Sequence, residues 1–238
     1  MNQKSVSQIV HIKLKKIIAN AKPGERLPSE PNLSKQLGVS RATLREAMRT
    51  FETQGMLRRR QGSGTYVTHP TNIIEGGLEV LESIERIAER IDLPASFGAL
   101  EVKHRLANHD EYTIFEIDPH DEVISISRVI NLDDRPVAYL IDTLPKDILT
   151  PDELINGFTG SILDLLLRRG DPTLSTSRTE INAVPASTKV ARTLNIQRGD
   201  VLLSFTADLY TQNGRVINHS FSYFLPGYFR FHVLRRVI

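Results

Sequence analysis

The run Leu37-Gly38-Val39-Ser40-Arg41-Ala42-Thr43-Leu44-Arg45-Glu46-Ala47-Met48-Arg49-Thr50-Phe51 reads as a tight turn followed by a helix with two chemically different faces. Gly38 is suited to stop a preceding helix, Val39 anchors the turn, and Ser40 has the short hydroxyl side chain of an N-cap. With Arg41 set at zero and about 100° per residue, Arg45 falls near ~40° and Arg49 near ~80°. Leu44, Ala47, Met48 and Phe51 fall between about 240° and 340° on the same wheel. An apolar face beside an arginine ridge is therefore expected, running to about Gln54, with Gly55 as the stop. Such a helix enters a major groove N-terminus first: capping serine and free N–H groups meet phosphate, and Arg41 offers a fork to guanine O6 and N7.

Working outward, Val6, Ile9, Val10, Leu14, Ile17 and Ile18 recur at helical spacing with Lys13, Lys15 and Lys16 between them. Lys22 to Pro28 is a turn. Ser29 is placed to cap a short second helix, with Glu30 and Pro31 in its first turn and Leu33 and Leu37 buried. On the other side, Met56-Leu57-Arg58-Arg59-Arg60 and Thr65-Tyr66-Val67 flank Gln61-Gly62-Ser63-Gly64, a hairpin with a small-residue tip. Arg59 and Arg60 suit phosphate contact, and the tip Gly62-Ser63-Gly64 suits a minor groove that excludes bulk. The bland alternative, arginines alternating on a solvated hairpin, leaves the neighbouring arginine helix unexplained.

Charge divides the chain. Residues 1–70 hold 13 Lys and Arg against Glu25, Glu30, Glu46 and Glu52, so the remaining 168 residues hold 17 basic against 24 acidic. A strongly basic segment joined to a mildly acidic one fits a polyanion-binding module coupled to a sensory or oligomerising domain. Cysteine is absent, which excludes disulfides and thiolate metal sites. The N-terminus lacks the apolar run of a signal peptide or membrane span, so a soluble cytoplasmic protein with no membrane partner is expected. The seven histidines (His11, His69, His104, His109, His120, His219, His232) are scattered without ligand spacing, and no nucleophile elbow or phosphate loop occurs. No enzyme activity, catalytic residue, metal or cofactor is expected.

The pattern Gly24-x-x-Leu27-Pro28-Ser29-Glu30, Leu33, Leu37-Gly38-Val39-Ser40-Arg41-x-Thr43-Leu44-Arg45-Glu46-Ala47, Gly55-x-Leu57 and Gly62-x-Gly64-Thr65-x-Val67 resembles the winged helix-turn-helix of the GntR family of regulators, over nearly all of residues 5–68. The resemblance implies DNA contact through Arg41, Thr43, Arg45 and the Gly62-Ser63-Gly64 tip. With the residues read above, the expected DNA-binding set is Ser29, Ser40, Arg41, Thr43, Arg45, Arg49, Arg59, Arg60, Gly62, Ser63 and Gly64. One departure stands out: the family often has a basic residue where this chain has Pro31, so a contact usual from the second helix is missing.

A polar break at Thr68-His69-Pro70-Thr71-Asn72 suggests a boundary, with a DNA-binding domain over 1–69, a linker and connecting helix over 70–94, and an effector-binding and oligomerisation domain over 95–238. Leu78, Leu81, Ile84, Ile87, Ala88 and Ile91 have helical period, fitting a coil-forming linker helix or a core helix of the second domain. From Glu101 the texture is β-rich. Val123–Leu132 and Val137–Leu144 flank Asp133-Asp134-Arg135-Pro136, and Val201–Thr211 and Arg215–Phe224 flank Gln212-Asn213-Gly214: two hairpins. Each follows a charged turn and ends in Leu-Pro, which suggests a pseudo-repeat of about 80 residues. Between them lie a helix capped by Ser161, a strand candidate from Ser177 to Val184, and a short helix from Ala186 or Ser187 to Leu194.

An α+β domain of two similar halves on an antiparallel sheet follows. Arg128, Arg135-Pro136-Val137, Leu144-Pro145, Ser161-Ile162-Leu163, Leu194-x-Ile196-x-x-Gly199 and Gly214 resemble the UTRA effector domain of the HutC subfamily, with its chorismate lyase-like fold. The resemblance implies a small metabolite held between the sheet and the helix that Ser161 starts. A capped helix N-terminus near an arginine suits an anionic effector, and Arg128, Tyr139, Ser161, Arg178, Asn218 and Ser220 are the candidate pocket residues. The alternative for each is a polar strand residue facing solvent. Where sugar-phosphate-binding relatives have a second arginine this chain has Ile130, and where they tend to be acidic it has Leu140 and Asn218. The expectation is a homodimeric, sequence-specific DNA-binding regulator, read as a repressor, acting on a palindromic double-stranded operator under control of a metabolite. The competing reading is a metabolite-binding module or vestigial lyase-like enzyme whose basic head binds DNA non-specifically.

Overall fold

The computed structural model describes residues 5–60, 62–68, 73–93 and 95–237. The chain forms two compact units, Met1–Ile73 with Pro226–Tyr228, and Ile74–Leu225 with Phe229–Ile238.

The first unit contains α1 (Val6–Asn20), α2 (Glu30–Leu37), α3 (Arg41–Thr53) and an antiparallel hairpin of β1 (Leu57–Arg60) and β2 (Gly64–Val67). Its core is the set that helical periodicity selects: Val10, Leu14 and Ile18 from α1, Leu33 and Leu37 from α2, Leu44, Ala47, Met48 and Phe51 from α3, closed by Leu57 and Val67 of the hairpin. Gly38 ends α2 at φ +69°, a left-handed turn that glycine enters at little cost. Ser40 caps α3 by accepting the Thr43 N–H at 3.1 Å. Ser29 occupies the cap position of α2 with extended backbone, but its hydroxyl makes no capping hydrogen bond. Pro31 in that first turn removes one of the two N–H groups a cap can accept from, and the Asn32 N–H is not taken up by Ser29 either.

The second unit is built on an antiparallel sheet. Among the described residues six strands run in the order β4 (Ala95–Leu106), β5 (Glu122–Leu132), β6 (Arg135–Pro145), β9 (Val216–Phe224), β8 (Val201–Thr211) and β7 (Leu174–Pro185). The pseudo-repeat is visible in this order. β4, the helix α5 (His109–Phe115), β5 and β6 form one half, and β7, α8 (Thr188–Thr193), β8 and β9 form the other. The halves meet where β6 pairs with β9, Leu140 opposite Ser222 and Ile141 opposite Phe221. Both hairpins lie where the sequence puts them. In the first, Leu132 faces Arg135 across a two-residue turn in which Asp133 and Asp134 both have positive φ, the backbone that matches strand twist.

Paired residues share a face, and faces alternate along a strand. One face carries Ile124, Ile126 and Leu144, covered by Ile162, Leu165 and Leu166 of α7 (Ile162–Arg169) together with Leu149. The other is covered by α5 and α8: Arg105 on β4 holds Glu111 of α5 through two hydrogen bonds of 2.6 Å, and Lys189 of α8 lies over the Tyr139 ring. The remaining elements are β3 (Ile74–Gly77), α4 (Ile84–Arg90), α6 (Pro151–Gly157) and β10 (Phe229–His232).

One expectation is corrected. The periodic stretch from Leu78 to Ile91 is helical only from Ile84, after the Ser83 cap. Ahead of it, β3 pairs in parallel with β10, and the Leu78 N–H continues that ladder to His232 O at 2.9 Å. Of the periodic stretch only Leu78 meets this ladder, and residues 79–83 belong to neither helix nor strand. What remains helical buries Ile87 and Ala88, as a core helix does. The expected boundary residues His69 to Asn72, together with Gln61 and Pro94, lie outside the described residues.

Candidate DNA-binding and effector sites

In the first unit α3 presents Arg41 and Arg45 on its exposed side, and the hairpin presents Arg58, Arg59 and Arg60. The two elements are tied by a residue of a third. Glu30, at the start of α2, accepts Arg45 Nε at 2.6 Å through one carboxylate oxygen and Arg59 Nη2 at 2.7 Å through the other. Its side chain is 14% exposed, whereas the arginines are 52% and 56% exposed. Glu30 thus bridges the arginine ridge and the wing. Sequence reasoning gave Glu30 only a role at the helix dipole; the two tertiary ion pairs leave no local pattern.

Thr43 and Ser40 share a hydroxyl contact at 2.9 Å, and Arg49 pairs with Glu46 at 3.1 Å. Arg60 lies over the Tyr66 ring, whose hydroxyl meets the Ser63 hydroxyl at 2.6 Å, which fixes the tip. Gly62 has φ +73° with open space around it; Gly64 has φ +119°, and a β-carbon there would lie 2.7 Å from Arg26 Nε. Among the described residues Arg41 has neither a hydrogen bond nor an ion pair, so its fork stays available. Ser29 is exposed with its hydroxyl uncommitted by a cap.

In the second unit the six candidate pocket residues do not share one face. Arg128, Asp142, Asn218 and Ser220 lie on the α7 face, because Ile126 pairs with Asp142, Asp142 with Ser220, and the alternation carries this to Arg128 and Asn218. Ser161 is on that side too, buried as the cap of α7, its hydroxyl accepting the Asp164 N–H at 3.1 Å. Tyr139 and Arg178 are on the opposite face. Tyr139 stacks on Tyr223 at 6.5 Å, and Arg178, 71% exposed on β7, pairs with Glu180. A single pocket containing all six is excluded by strand parity.

The expectation of Arg128 as an open anion receptor is corrected as well. Arg128 is buried, its Nη1 bonded to Asp142 and its Nε 3.4 Å from Glu85 of α4. Burial pushes the Glu85 carboxyl above its ordinary range, with Arg128 opposing. Asn218 donates from Nδ2 to the other Asp142 oxygen at 2.8 Å. Beside this network Ser83 donates to Asp164 at 2.6 Å, joining the starts of α4 and α7. Sequence reading missed Glu85, Asp142 and Asp164; an isolated acid in an amphipathic stretch looks like a solvated one.

A cleft of about 420 Å³ lies elsewhere on the unit, lined by Ile117, Asp121, Glu122, Pro145, Lys146, Asp147 and Arg215. Its charges are satisfied internally, with Arg215 bidentate on Asp147 and Lys146 on Glu122. None of the six candidate pocket residues lines it. Among the described residues there is no cluster of three or more acidic or histidine side chains placed to hold a metal, and no helix long and apolar enough to cross a membrane.

Comparison with known proteins matches residues 7–67 to the bacterial regulatory proteins of the gntR family and residues 94–230 to the UTRA domain. The chain is 29% identical over 201 residues to the HTH-type transcriptional repressor NagR of Bacillus subtilis, covering 83% of this chain and 80% of that one. It is 29% identical over 212 residues to the mannosyl-D-glycerate transport/metabolism system repressor MngR of Escherichia coli, covering 84% and 82%. The crystal structure of PhnF from Mycobacterium smegmatis superposes with a TM-score of 0.65 at 20% identity, over 97% of this chain and all of that one, a likeness of fold.

Proposed function

Because the chain belongs to the GntR family of bacterial regulatory proteins and carries a UTRA domain, we propose that it is a repressor whose α3 reads a palindromic operator as part of a homodimer. It is a DNA-binding transcription regulator of the GntR type, and its relatives are regulators, not enzymes. The single observation that carries the reading is the Glu30 clamp. A carboxylate that bridges a helix arginine and a wing arginine has a purpose if one element enters the major groove while the other follows the backbone. In this reading Arg41 and Thr43 face base edges. Arg45, Arg49, Arg59, Arg60, Ser29 and Ser40 hold phosphates, and the Gly62-Ser63-Gly64 tip enters the minor groove.

A metabolite acts on the α7 face of the sheet, where Arg128, Asn218, Ser220 and Ser161 gather, and changes the spacing or mobility of the paired DNA-binding heads. Tyr139 and Arg178 are left out of that site by strand parity. The exposed row Leu100, Val102 and Leu106 on edge strand β4 supports a dimer built through this domain. Operator footprinting at moderate salt tests the reading. Protection of one inverted repeat is expected; protection spread over any sequence would reject it in favour of a metabolite-binding module with non-specific DNA affinity.

A further inference from the structure

The α7 face places two carboxylates against one guanidinium in a setting nearly closed to water. Arg128 holds Asp142 and Glu85, so this buried network carries one more acid than base. Two acceptors in it have no hydrogen-bond partner, Glu85 Oε2 and Asn218 Oδ1. The Asn218 side chain is buried, with 7% residue exposure. Its orientation is fixed, because Nδ2 must face the Asp142 carboxylate and Oδ1 is thereby turned the other way. Buried acceptors are ordinarily satisfied, and those that are not mark a missing donor. The surrounding face is apolar on one side (Ile124, Ile126, Leu209) and aromatic on the other (Phe205, Phe224), while Ser220 and Ser222 between them are half buried. Of the residues around the network, these two serines are the less buried polar ones on β9.

We infer that this site takes a ligand through a cationic amino group paired with Glu85, with a further N–H or O–H donor on the ligand reaching Asn218 Oδ1. The inference rests on the reading of this face as the effector site and reverses the charge that a lone arginine suggests. An incoming anion meets an arginine already neutralised and adds a third negative charge to the network. An ammonium restores balance, supplies donors to atoms that lack them, and relieves the burial that raises the Glu85 carboxyl. The chemical class is an amino alcohol or aminopolyol.

The test is a thermal shift of the full chain at neutral pH with two matched sets of probes: serinol, glycerol and glycerate; glucamine, sorbitol and gluconate. Within each set the carbon chain has the same length; the second member exchanges the amine for a hydroxyl, and the third has no amine and carries a terminal carboxylate. The amine alone is expected to raise Tm, by about 3 °C at roughly tenfold excess over its Kd. The Glu85→Gln variant is expected to abolish that rise, while Arg178→Ala on the opposite face retains it. A rise with the carboxylates instead, no rise with any member, or an amine response that survives Glu85→Gln would each overturn the inference. The wild-type comparison decides without any variant should Glu85→Gln fail to fold. The same probes added to the operator complex separate this inference from the reading beneath it. An amine that binds without changing operator occupancy upholds the amine site and counts against its regulatory use, whereas release by a carboxylate alone does the reverse.

Discussion

Arg59 of the wing donates to Glu30 of the second helix at 2.7 Å, across 29 positions of sequence, while the other Glu30 oxygen holds Arg45 of the recognition helix. Both arginines are half exposed, so each ion pair contributes little to stability, at most about 1 kcal/mol. The effect of Glu30 is positional, on the groups that would meet DNA.

Glu30→Gln frees both arginines and removes a negative charge. Affinity for random duplex is expected to rise and its salt dependence to steepen, while the ratio of operator to random binding falls by about tenfold, ~1.4 kcal/mol. Anisotropy titrations at several salt concentrations measure both. An unchanged ratio would show that the clamp does not set the register of the two elements.

Arg41→Ala and Arg59→Ala are expected to differ in kind. Loss of the unpaired fork on α3 removes about 1–3 kcal/mol of discrimination at one base position, whereas loss of the wing arginine weakens binding to all sequences and lowers the salt slope by about one. Competition against a library of single-base operator variants distinguishes the two. Identical profiles would contradict the division of labour.

The buried Glu85 carboxyl makes stability pH-dependent in a calculable direction. Its folded-state pKa is raised above the ordinary value of 4.5 by burial, with the Arg128 charge opposing. The unfolded chain therefore ionises first as pH rises. Stability is fully present below the unfolded pKa and is lost as pH climbs to the folded one. Glu85→Gln removes that loss. Its Tm should exceed wild type at pH 7, and the advantage should vanish once the pH falls below the ordinary carboxyl range. Melting curves across that range check it, and an advantage constant with pH would rule the mechanism out.

Phe51→Ala leaves a cavity where α1, α3 and the hairpin meet, since Phe51 is buried and stacks on His11 at 4.5 Å. A loss of about 3–5 kcal/mol in the stability of the first unit is expected, read by urea unfolding with operator binding as the probe. Asp134→Gly works in the opposite direction. The residue sits at φ +60° in a two-residue hairpin turn, and glycine there should stabilise by up to about 1 kcal/mol.

The sequence by itself determined what depends on spacing within one element. The helices of the DNA-binding head, their Gly38 and Ser40 punctuation, the arginine ridge and the two hairpins all follow from periods of 3.6 and 2 and from turn residues. The repeat of about 80 residues likewise announced the doubled sheet. Only the tertiary structure decided what depends on partners far apart in the chain. Ile74–Gly77 became a strand because Phe229–His232 pairs with it, Glu30 became a clamp because α3 and the wing close on it, and Arg128 lost its vacancy to Asp142 and Glu85. Strand parity then parted Tyr139 and Arg178 from Arg128, Asn218 and Ser220. Local pattern tells which side chains alternate within a strand. The register between strands, which sets whose faces coincide, is fixed by hydrogen bonds between segments that sequence spacing does not connect.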